Sequence, residues 1–161
     1  MFVSPDQFKN VMRQFPAGVT IVTIKAGDVV HGLTVSAFSS VSATPPLISI
    51  SINRNNHAHT LLEQSGAVFA VNILREDQAE LSNRFAWMKE DRFGMGQWQT
   101  AVTGAPVLAD ALGWVDCTIY SRHVAGTHTI YIGEVQASNA VEQETKPLVY
   151  WNRDYRQIIP N

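Results

Sequence analysis

Two nearby segments, 32–37 and 48–54, alternate polar and apolar side chains with a period of two. In a β-strand this alternation places the polar set on one face and the apolar set on the other. The polar set combines hydroxyls, an amide and a terminal guanidinium: Thr34, Ser36, Ser49, Ser51, Asn53 and Arg54. If the two strands pair, these groups form one patch, in which hydroxyls bind phosphate oxygens and Arg54 supplies a charge-assisted fork.

Such a patch suits a ligand with many uncharged polar edges and one phosphate, and flavin mononucleotide has that chemistry. Periodicity alone also fits an ordinary solvated sheet face, which is the simpler interpretation of the pattern. The hydroxyls continue through 39–42, a stretch expected to be irregular, and Pro45 and Pro46 then impose extended backbone before the second strand.

The five histidines do not predict a metal site. His57 and His59 are two residues apart and point to different faces of a helix, and the others lack a second ligand at suitable spacing. His128 follows Gly126 and Thr127 at the start of a long predicted strand. A histidine there either reaches into a cleft or is a surface turn residue, and the sequence leaves both interpretations open.

Several other chemistries lack their signatures. There is no G-x-S-x-G nucleophile elbow, and Gly94-Met95-Gly96 lacks the third glycine of a dinucleotide fingerprint. Cys117 lies within a predicted strand without an obvious base, which indicates a small buried core residue. The formal net charge of −2 provides no basic field for nucleic acid and no polybasic membrane patch. No run of about 18 apolar residues predicts a membrane span, and a single cysteine fits a reducing cytoplasm.

The elements that position the polar patch are mostly strands. The β-branched and alternating segments predict seven strands, at 19–25, 29–37, 47–53, 67–74, 113–124, 128–140 and 147–151. A capping box at Ser4–Gln7 predicts a first helix that Pro16 and Gly18 end, and further helices are predicted at 56–65 and 75–86. Because crossover helices are missing after most strands, a closed antiparallel barrel is favoured over a doubly wound sheet.

The segment 87–112 is the least periodic part of the chain and is expected to be a long, partly ordered excursion with a function, such as a lid. No repeat or linker interrupts the 161 residues, so a single domain over 1–161 is predicted. Only 16% of residues are charged and 45% are apolar, which favours a homo-oligomer. A monomer with a surface rich in serine, threonine and asparagine is the alternative.

Six stretches, in order along nearly the whole chain, carry a resemblance to a known family: 15–23, 32–42, 44–47, 69–74, 126–135 and 147–151. Together they resemble the short-chain flavin reductases of two-component monooxygenases, with members like the 4-hydroxyphenylacetate 3-monooxygenase reductase. The resemblance implies an FMN-binding split barrel, a six- or seven-stranded antiparallel Greek-key barrel with a few short helices. It also implies a homodimer with flavin in a groove near the subunit interface.

The same resemblance assigns flavin contacts. Residues lining the isoalloxazine and ribityl chain would be Thr34, Val35, Ser36 and Ala37. Residues wrapping the other side towards the phosphate would be Ser51, Ile52, Asn53 and Arg54. Phe85 and Phe93 would close the groove. His57 stands where many relatives have a small hydroxyl residue, which leaves FMN and FAD both open.

The implied activity is hydride transfer from NADH or NADPH to FMN or FAD, followed by delivery of reduced flavin to an oxygenase component. His128 matches a position beside the flavin and nicotinamide rings, and is the candidate catalytic residue. No basic cluster is apparent for a 2′-phosphate, which favours NADH. Two alternatives remain: a flavoprotein that keeps its flavin and reduces another substrate, and a non-catalytic flavin-binding module.

Overall fold

The computed structural model describes residues 2–141 and 145–159 of the chain. The helices are α1 (Pro5–Met12), α2 (His57–Leu62) and α3 (Ala79–Trp87), with a 3-10 turn at Arg92–Gly94. The strands are β1 (Ala17–Gly18), β2 (Thr20–Ala26), β3 (Val29–Val35), β4 (Phe38–Ala43), β5 (Pro46–Asn53), β6 (Val68–Ile73), β7 (Trp98–Thr100), β8 (Pro106–Leu108), β9 (Gly113–Ala125), β10 (His128–Ala140), β11 (Val149–Trp151) and β12 (Asp154–Arg156).

Seven strands form the main sheet in the order β3-β2-β6-β9-β10-β5-β4, and every neighbouring pair is antiparallel. Strands β2 and β6 are neighbours although three strands separate them in sequence, which is a Greek-key feature. The two edge strands of this sheet, β3 and β4, are consecutive in the chain, so residues 36–37 connect one edge of the sheet with the other. The Ser51 N–H donates to the Ala37 carbonyl (3.1 Å) at the joint between these edges. The mainly β, seven-stranded antiparallel prediction is confirmed.

The barrel interior holds the main core. Its largest fully buried side chains include Tyr131, Phe69, Ile50, Ile52 and Ile24. A second core lies between the barrel and α3, where Ile21, Leu81, Phe85 and Leu108 pack together. Strand β2 contributes to both, since six of its seven residues are buried. This two-sided burial explains why the sequence of the strand shows no regular alternation of polar and apolar residues.

The first helix begins as predicted and ends early. The Ser4 hydroxyl accepts from the Gln7 N–H (3.2 Å), and the Gln7 side chain accepts from the Ser4 N–H (2.9 Å), which completes the capping box. The helix ends at Met12 rather than at Pro16. No residue of α1 is buried, so its apolar side chains face outward, Phe8 with 61% of its surface exposed.

The sequence interpretation missed five strands: the short strands β1, β7 and β8, and the two strands β4 and β12. Residues 38–43, expected to be irregular, form β4 and pair with β5. The chain after Trp151 returns as β12, which pairs with β11 in a small sheet that also includes β1. The predicted strand 29–37 ends at Val35, because the chain turns there to cross from β3 to β4. Among the described residues, no helix is long and apolar enough to cross a bilayer.

The segment 87–112 is held to the barrel by buried polar contacts. Strands β7 and β8 form a hairpin within it. Asn72, fully buried, accepts from the Leu108 N–H (2.7 Å) and donates to the Ile21 carbonyl (3.1 Å). Asp116, also fully buried, accepts from the Thr103 N–H (2.7 Å) and from the Thr103 hydroxyl. Because these bonds fix 103–108 against the barrel, we expect any lid motion of the segment to involve its other residues.

Candidate functional site

Strand β5 presents two chemically different faces. Ile48, Ile50 and Ile52 point into the barrel core and are at most 7% exposed. Ser49, Ser51 and Asn53 lie on the outer face, opposite Ile132, Ile130 and His128 of strand β10. The predicted hydroxyl and amide stripe therefore exists, and its partners are β4 and β10 rather than the predicted strand 29–37. We call this outer face of β4, β5 and β10 the polar wall.

A cavity of about 660 Å³ lies against the polar wall, within the size range of small-molecule sites. The wall contributes three hydroxyl side chains to it, Ser39, Ser49 and Ser51, and the connection between β3 and β4 contributes a fourth, Ser36. Aromatic rings from the wall, α1 and β11 add apolar surface: Phe8, Phe15, Phe38 and Tyr150. Hydroxyls beside stacking surfaces suit a flat heteroaromatic ring with polar edges.

A second cavity, of about 450 Å³, lies between β3 and α3 and shares Ser36, Tyr150 and Arg153 with the first. Its floor is a hydrogen-bond junction at the buried Ser82. The Thr34 hydroxyl donates to the Ser82 carbonyl (2.6 Å), and the Tyr155 hydroxyl donates to the Ser82 hydroxyl (2.8 Å). The two cavities therefore meet at Ser36, and a ligand in one adjoins a ligand in the other.

A third cavity lies beyond the far end of the polar wall and is lined by Arg54, Asn55, His59, Gly126 and Thr127. His128 stands between this cavity and the first, because Thr127 lines the one and Ile130 the other. The His128 Nδ1 lies 2.9 Å from the Thr127 hydroxyl.

A network around the buried Tyr131 fixes this end of the wall. The Tyr131 hydroxyl donates to the Glu63 carboxylate (2.6 Å), and Arg122 lies 3.7 Å from the same carboxylate oxygen. Burial, followed by the bond to Glu63, raises the pKa of Tyr131 well above its usual value. His59 contacts the Thr129 hydroxyl at 3.0 Å. These contacts hold α2, and with it the turn that carries Arg54, against β10.

His31, at the edge of the barrel formed by β3, is held neutral. Burial, the Arg92 guanidinium and His57 together lower the pKa of His31 to about 4. Arg92 lies 3.2 Å from the His31 Nε2 and donates to the Gly32 carbonyl (2.7 Å), which fixes the 3-10 turn to β3. Within residues 2–141 and 145–159, no group of three or more His, Cys, Asp or Glu side chains could hold a metal ion.

The family model described as "Flavin reductase like domain" matches residues 12–158. This chain belongs to the flavin reductase family. The match covers every strand and all of the cavity lining except the first two turns of α1.

Two named proteins are similar to this member of the flavin reductase family over nearly its whole length. The chain is 39% identical to the reductase component of an FADH2-dependent resorcinol hydroxylase from a Rhizobium species, over 96% of this chain and 88% of the relative. It is 38% identical to an actinorhodin polyketide dimerase from Streptomyces coelicolor, over 98% of this chain and 89% of the relative.

Among solved structures, the NADH:FAD oxidoreductase SgcE6 from Streptomyces globisporus, in complex with NAD and FAD fragments, is similar to this chain with a TM-score of 0.90. The two chains are 30% identical, and the alignment covers 100% of this chain and 98% of the other. The resemblance stated from the sequence motifs is thus confirmed for family and fold.

The structure brings part of the sequence-predicted flavin site together. Ser36, Ala37 and Ser51 line the first cavity, and Thr34 and Ser36 line the second. Arg54 lines the third, and Asn53 and His128 pair with each other on the wall between the first and third. The Asn53 side chain accepts from the Asn55 N–H (2.9 Å), which shapes the turn that places Arg54.

Other predicted site residues lie elsewhere. Val35 and Ile52 are 7% and 1% exposed and point into the barrel core, so only their backbone can touch a ligand. Phe85, 1% exposed, packs edge-on against Phe93 beneath Gly32, which corrects its assignment to the groove. Phe93 is half-buried in the same aromatic cluster.

His57 is exposed and sits 5.2 Å from the His31 ring, at the barrel edge near Arg92. It lies outside the lining of the three cavities described above. The departure from the family pattern at His57 therefore bears on the His31 edge rather than on the polar wall.

The sequence interpretation missed the cavity residues contributed by the chain ends. Lys9 and Arg13 reach the first cavity from α1, and Arg153 reaches both the first and second from the β11–β12 turn. Asn83 and Trp87 reach the second from α3. The cationic residues gave no signal of clustering, since Arg13 and Arg153 are far apart in the sequence and only the folding of the β11–β12 turn onto the end of α1 brings their segments together.

Proposed function

We propose that this chain is a flavin reductase that oxidises NADH or NADPH and reduces FMN or FAD. The observation that carries the proposal is the polar wall, which offers hydroxyls, an aromatic cleft and an adjoining second cavity in one continuous groove. Membership of the flavin reductase family supports it, as does the similarity to an NADH:FAD oxidoreductase.

The residues present fit a flavin. The serine hydroxyls and backbone amides of the wall can pair with the polar ring edge and the ribityl chain. Phe38 and Tyr150 can cover the ring faces. When bound, the flavin supplies the hydride acceptor for the reduced nicotinamide, so the protein needs no acid or base of its own.

The protein's contribution to the reaction is orientation. Because the first and second cavities share Ser36, rings bound in the two cavities would lie close together near that residue. In this proposal His128 contacts the flavin from the end of the wall nearer the third cavity, and its bond to Thr127 limits the tautomers and ring orientations open to it.

The physiological acceptor that we propose is an oxygenase component that receives the reduced flavin. The relative named as the reductase component of a resorcinol hydroxylase supports this partner class.

We also propose a cytoplasmic location, which a chain with a single cysteine fits. That cysteine, Cys117, is buried, and burial together with Asp116 raises the pKa of its thiol to about 12, so the thiol is unreactive.

We further propose that the chain is a homodimer. Its support is the exposed apolar surface of α1 and of the β9 end, where Phe8, Phe15, Tyr120 and Val124 are each at least 59% exposed. Light scattering during gel filtration should give twice the mass of 17.8 kDa. A mass of one chain across micromolar concentrations would contradict the dimer.

The reductase activity is tested by following NADH and NADPH oxidation with FMN, with FAD and without flavin. We expect rapid oxidation only when free flavin is added, and the rates identify the preferred flavin and nucleotide. Absence of oxidation with every combination would contradict the proposal.

A flavoprotein that retains its flavin is the second candidate, favoured by the relative named a polyketide dimerase, a name that describes no flavin reduction. The two candidates differ in flavin release. Purified protein that holds flavin through gel filtration, and shows no stimulation by added flavin, would support the second over the first.

A further inference from the structure

One end of the first cavity carries positive charge only. Lys9, Arg13 and Arg153 line it, and no carboxylate does. This concentration stands out because the whole chain has a formal net charge of −2. Lys9 lies 3.9 Å from Asp6 on the exposed surface of α1, a pair that solvent screens strongly. The cavity end therefore offers a local field that attracts anions.

The position of Arg153 requires an unfavourable backbone. Trp151, the last residue of β11, pairs with Asp154, the first residue of β12, and only Asn152 and Arg153 connect them. Both have positive φ, 51° and 68°, as in a type I′ turn. Glycine is the favoured residue at the second position of such a turn, and a long side chain there is uncommon. A strained residue whose side chain enters a cavity indicates a functional constraint.

Contacts between the chain ends place Arg153 beside Arg13. The Asn152 N–H donates to the Arg13 carbonyl (3.2 Å), and the Trp151 indole N–H donates to the Gln14 carbonyl (3.1 Å). These bonds dock the turn on the end of α1. Among residues 2–141 and 145–159, no carboxylate lies within 4.0 Å of either guanidinium, so both remain available to an anion.

We propose that Arg13 and Arg153, assisted by Lys9, bind the phosphate groups of the nicotinamide dinucleotide. The inference rests on the proposed reductase function and assigns its second substrate a binding site. Guanidinium groups form forked, charge-assisted bonds with phosphate. Arg153 also lines the second cavity, so a dinucleotide held by its phosphates at this residue can place a ring in either cavity.

The flavin phosphate belongs at the opposite end of the groove. The polar wall runs from Ser51 to Arg54 in the third cavity, a distance of about 10 Å at the rise of an extended strand. Two phosphate-bearing ligands repel each other at a shared site, whereas separate cationic ends allow their rings to meet between them. The two nucleotides would thus enter the groove from opposite ends.

The test measures binding of non-reacting ligands, which does not depend on turnover. Calorimetric titrations with NAD⁺, ADP-ribose and FMN compare the wild type with Arg13→Gln, Arg153→Gly and the double variant. Loss of one charged partner should weaken NAD⁺ and ADP-ribose about tenfold, and FMN binding should stay unchanged. The matched control is Arg156→Gln in the same hairpin, whose guanidinium pairs with Asp154 and stacks on Trp151 instead of lining the cavity.

The dependence on salt provides an independent measurement. The wild-type affinity for ADP-ribose should fall as salt rises, and the double variant should show a shallower slope. Unchanged NAD⁺ affinity in the double variant would overturn the inference. Weakened FMN binding with intact NAD⁺ binding would also overturn it, by assigning the cations to the flavin. Failure of the reductase proposal itself is distinct, because wild-type protein would then oxidise no NADH or NADPH.

Discussion

The segment 87–112 and the paired chain ends (α1 with the β11–β12 hairpin) differ in a way that reverses the expectation from sequence. The long irregular segment is bound to the barrel by buried polar groups, including Asp116 and Asn72. The chain ends are short and regular, yet they are mostly exposed, and few contacts dock them: the β1–β11 pairing, two carbonyls at the end of α1 and the bond from Tyr155 to Ser82. They supply all three cations of the first cavity.

An irregular backbone does not by itself mark a segment as part of a ligand site. A long loop is stable when its polar groups find partners, and 103–108 finds them in Thr23, Asn72 and Asp116. A ligand site needs the reverse, since groups already bonded within the protein are less available to a ligand. Substitutions that remove the partners of 87–112 should therefore lower the free energy of unfolding, whereas substitutions in the chain ends should affect ligand binding.

The largest effect is expected for Asp116→Ala, which leaves two Thr103 donors without their buried acceptor. We expect a loss of about 3 kcal/mol in the free energy of unfolding, measured by urea denaturation. The matched control Asp154→Ala, in the exposed hairpin, should cost far less. An equal cost for both variants would contradict the division between anchored and exposed regions.

Acid should loosen the anchored region through His31. Its folded-state pKa is lowered from 6.5 to about 4, so the folded protein binds fewer protons there than the unfolded chain. Its contribution to stability is complete above pH 6.5 and is lost as the pH falls from 6.5 towards 4. His31→Gln should flatten the stability profile in that window, measured by urea denaturation at each pH. Exposed His123→Gln is the control, and a flattening as large there would argue against a specific role of His31.

For the polar wall we expect an effect on binding alone. Ser51→Ala removes one hydroxyl from the first cavity and should weaken FMN or FAD about fivefold. Thermal unfolding without ligand should stay unchanged, since Ser51 is only partly buried. Ser138→Ala, at the exposed far end of β10, serves as control for fluorescence titration. Equal flavin affinities of the wild type, Ser51→Ala and Ser138→Ala would show that flavin does not contact the Ser51 hydroxyl.

The smallest effect concerns the turn. Arg153→Gly relieves a positive-φ backbone and should raise the free energy of unfolding by about 0.5 kcal/mol. In contrast, Arg156→Gly lies within β12 and should lower it. Denaturant titration of both variants provides the comparison, and a destabilised Arg153→Gly would show that the side chain stabilises the fold.

Much of this architecture could be predicted from the sequence, because strong alternation and β-branched runs define β2, β9 and β10. Strand β4 could not, because its Ser39-Ser40-Val41-Ser42 run lacks an apolar face and forms a strand through pairing with β5. The β11–β12 turn was equally obscure, since Asn152-Arg153 lacks the glycine that marks a type I′ hairpin.

For the site, alternation was sufficient to identify Ser36 and Ser51, which both line the first cavity. It could not distinguish side chains that face a ligand from those that face the core, as Val35 and Ile52 show. Phe85 illustrates a second limit. Its spacing from Leu81 predicts a helix face, but only the position of Gly32 above its ring shows that the face is covered.

The two-residue turn at 152–153 has an evolutionary consequence. It lies outside the seven-stranded ladder, so substitutions there leave the barrel's pairing register untouched. Descendants of this protein can vary the length, charge or reach of the residue at position 153 while keeping the same barrel pairing. Under the phosphate-binding role proposed for Arg153, affinity for the nucleotide donor can change independently of the scaffold, and a library randomised at these two codons is a direct way to alter it.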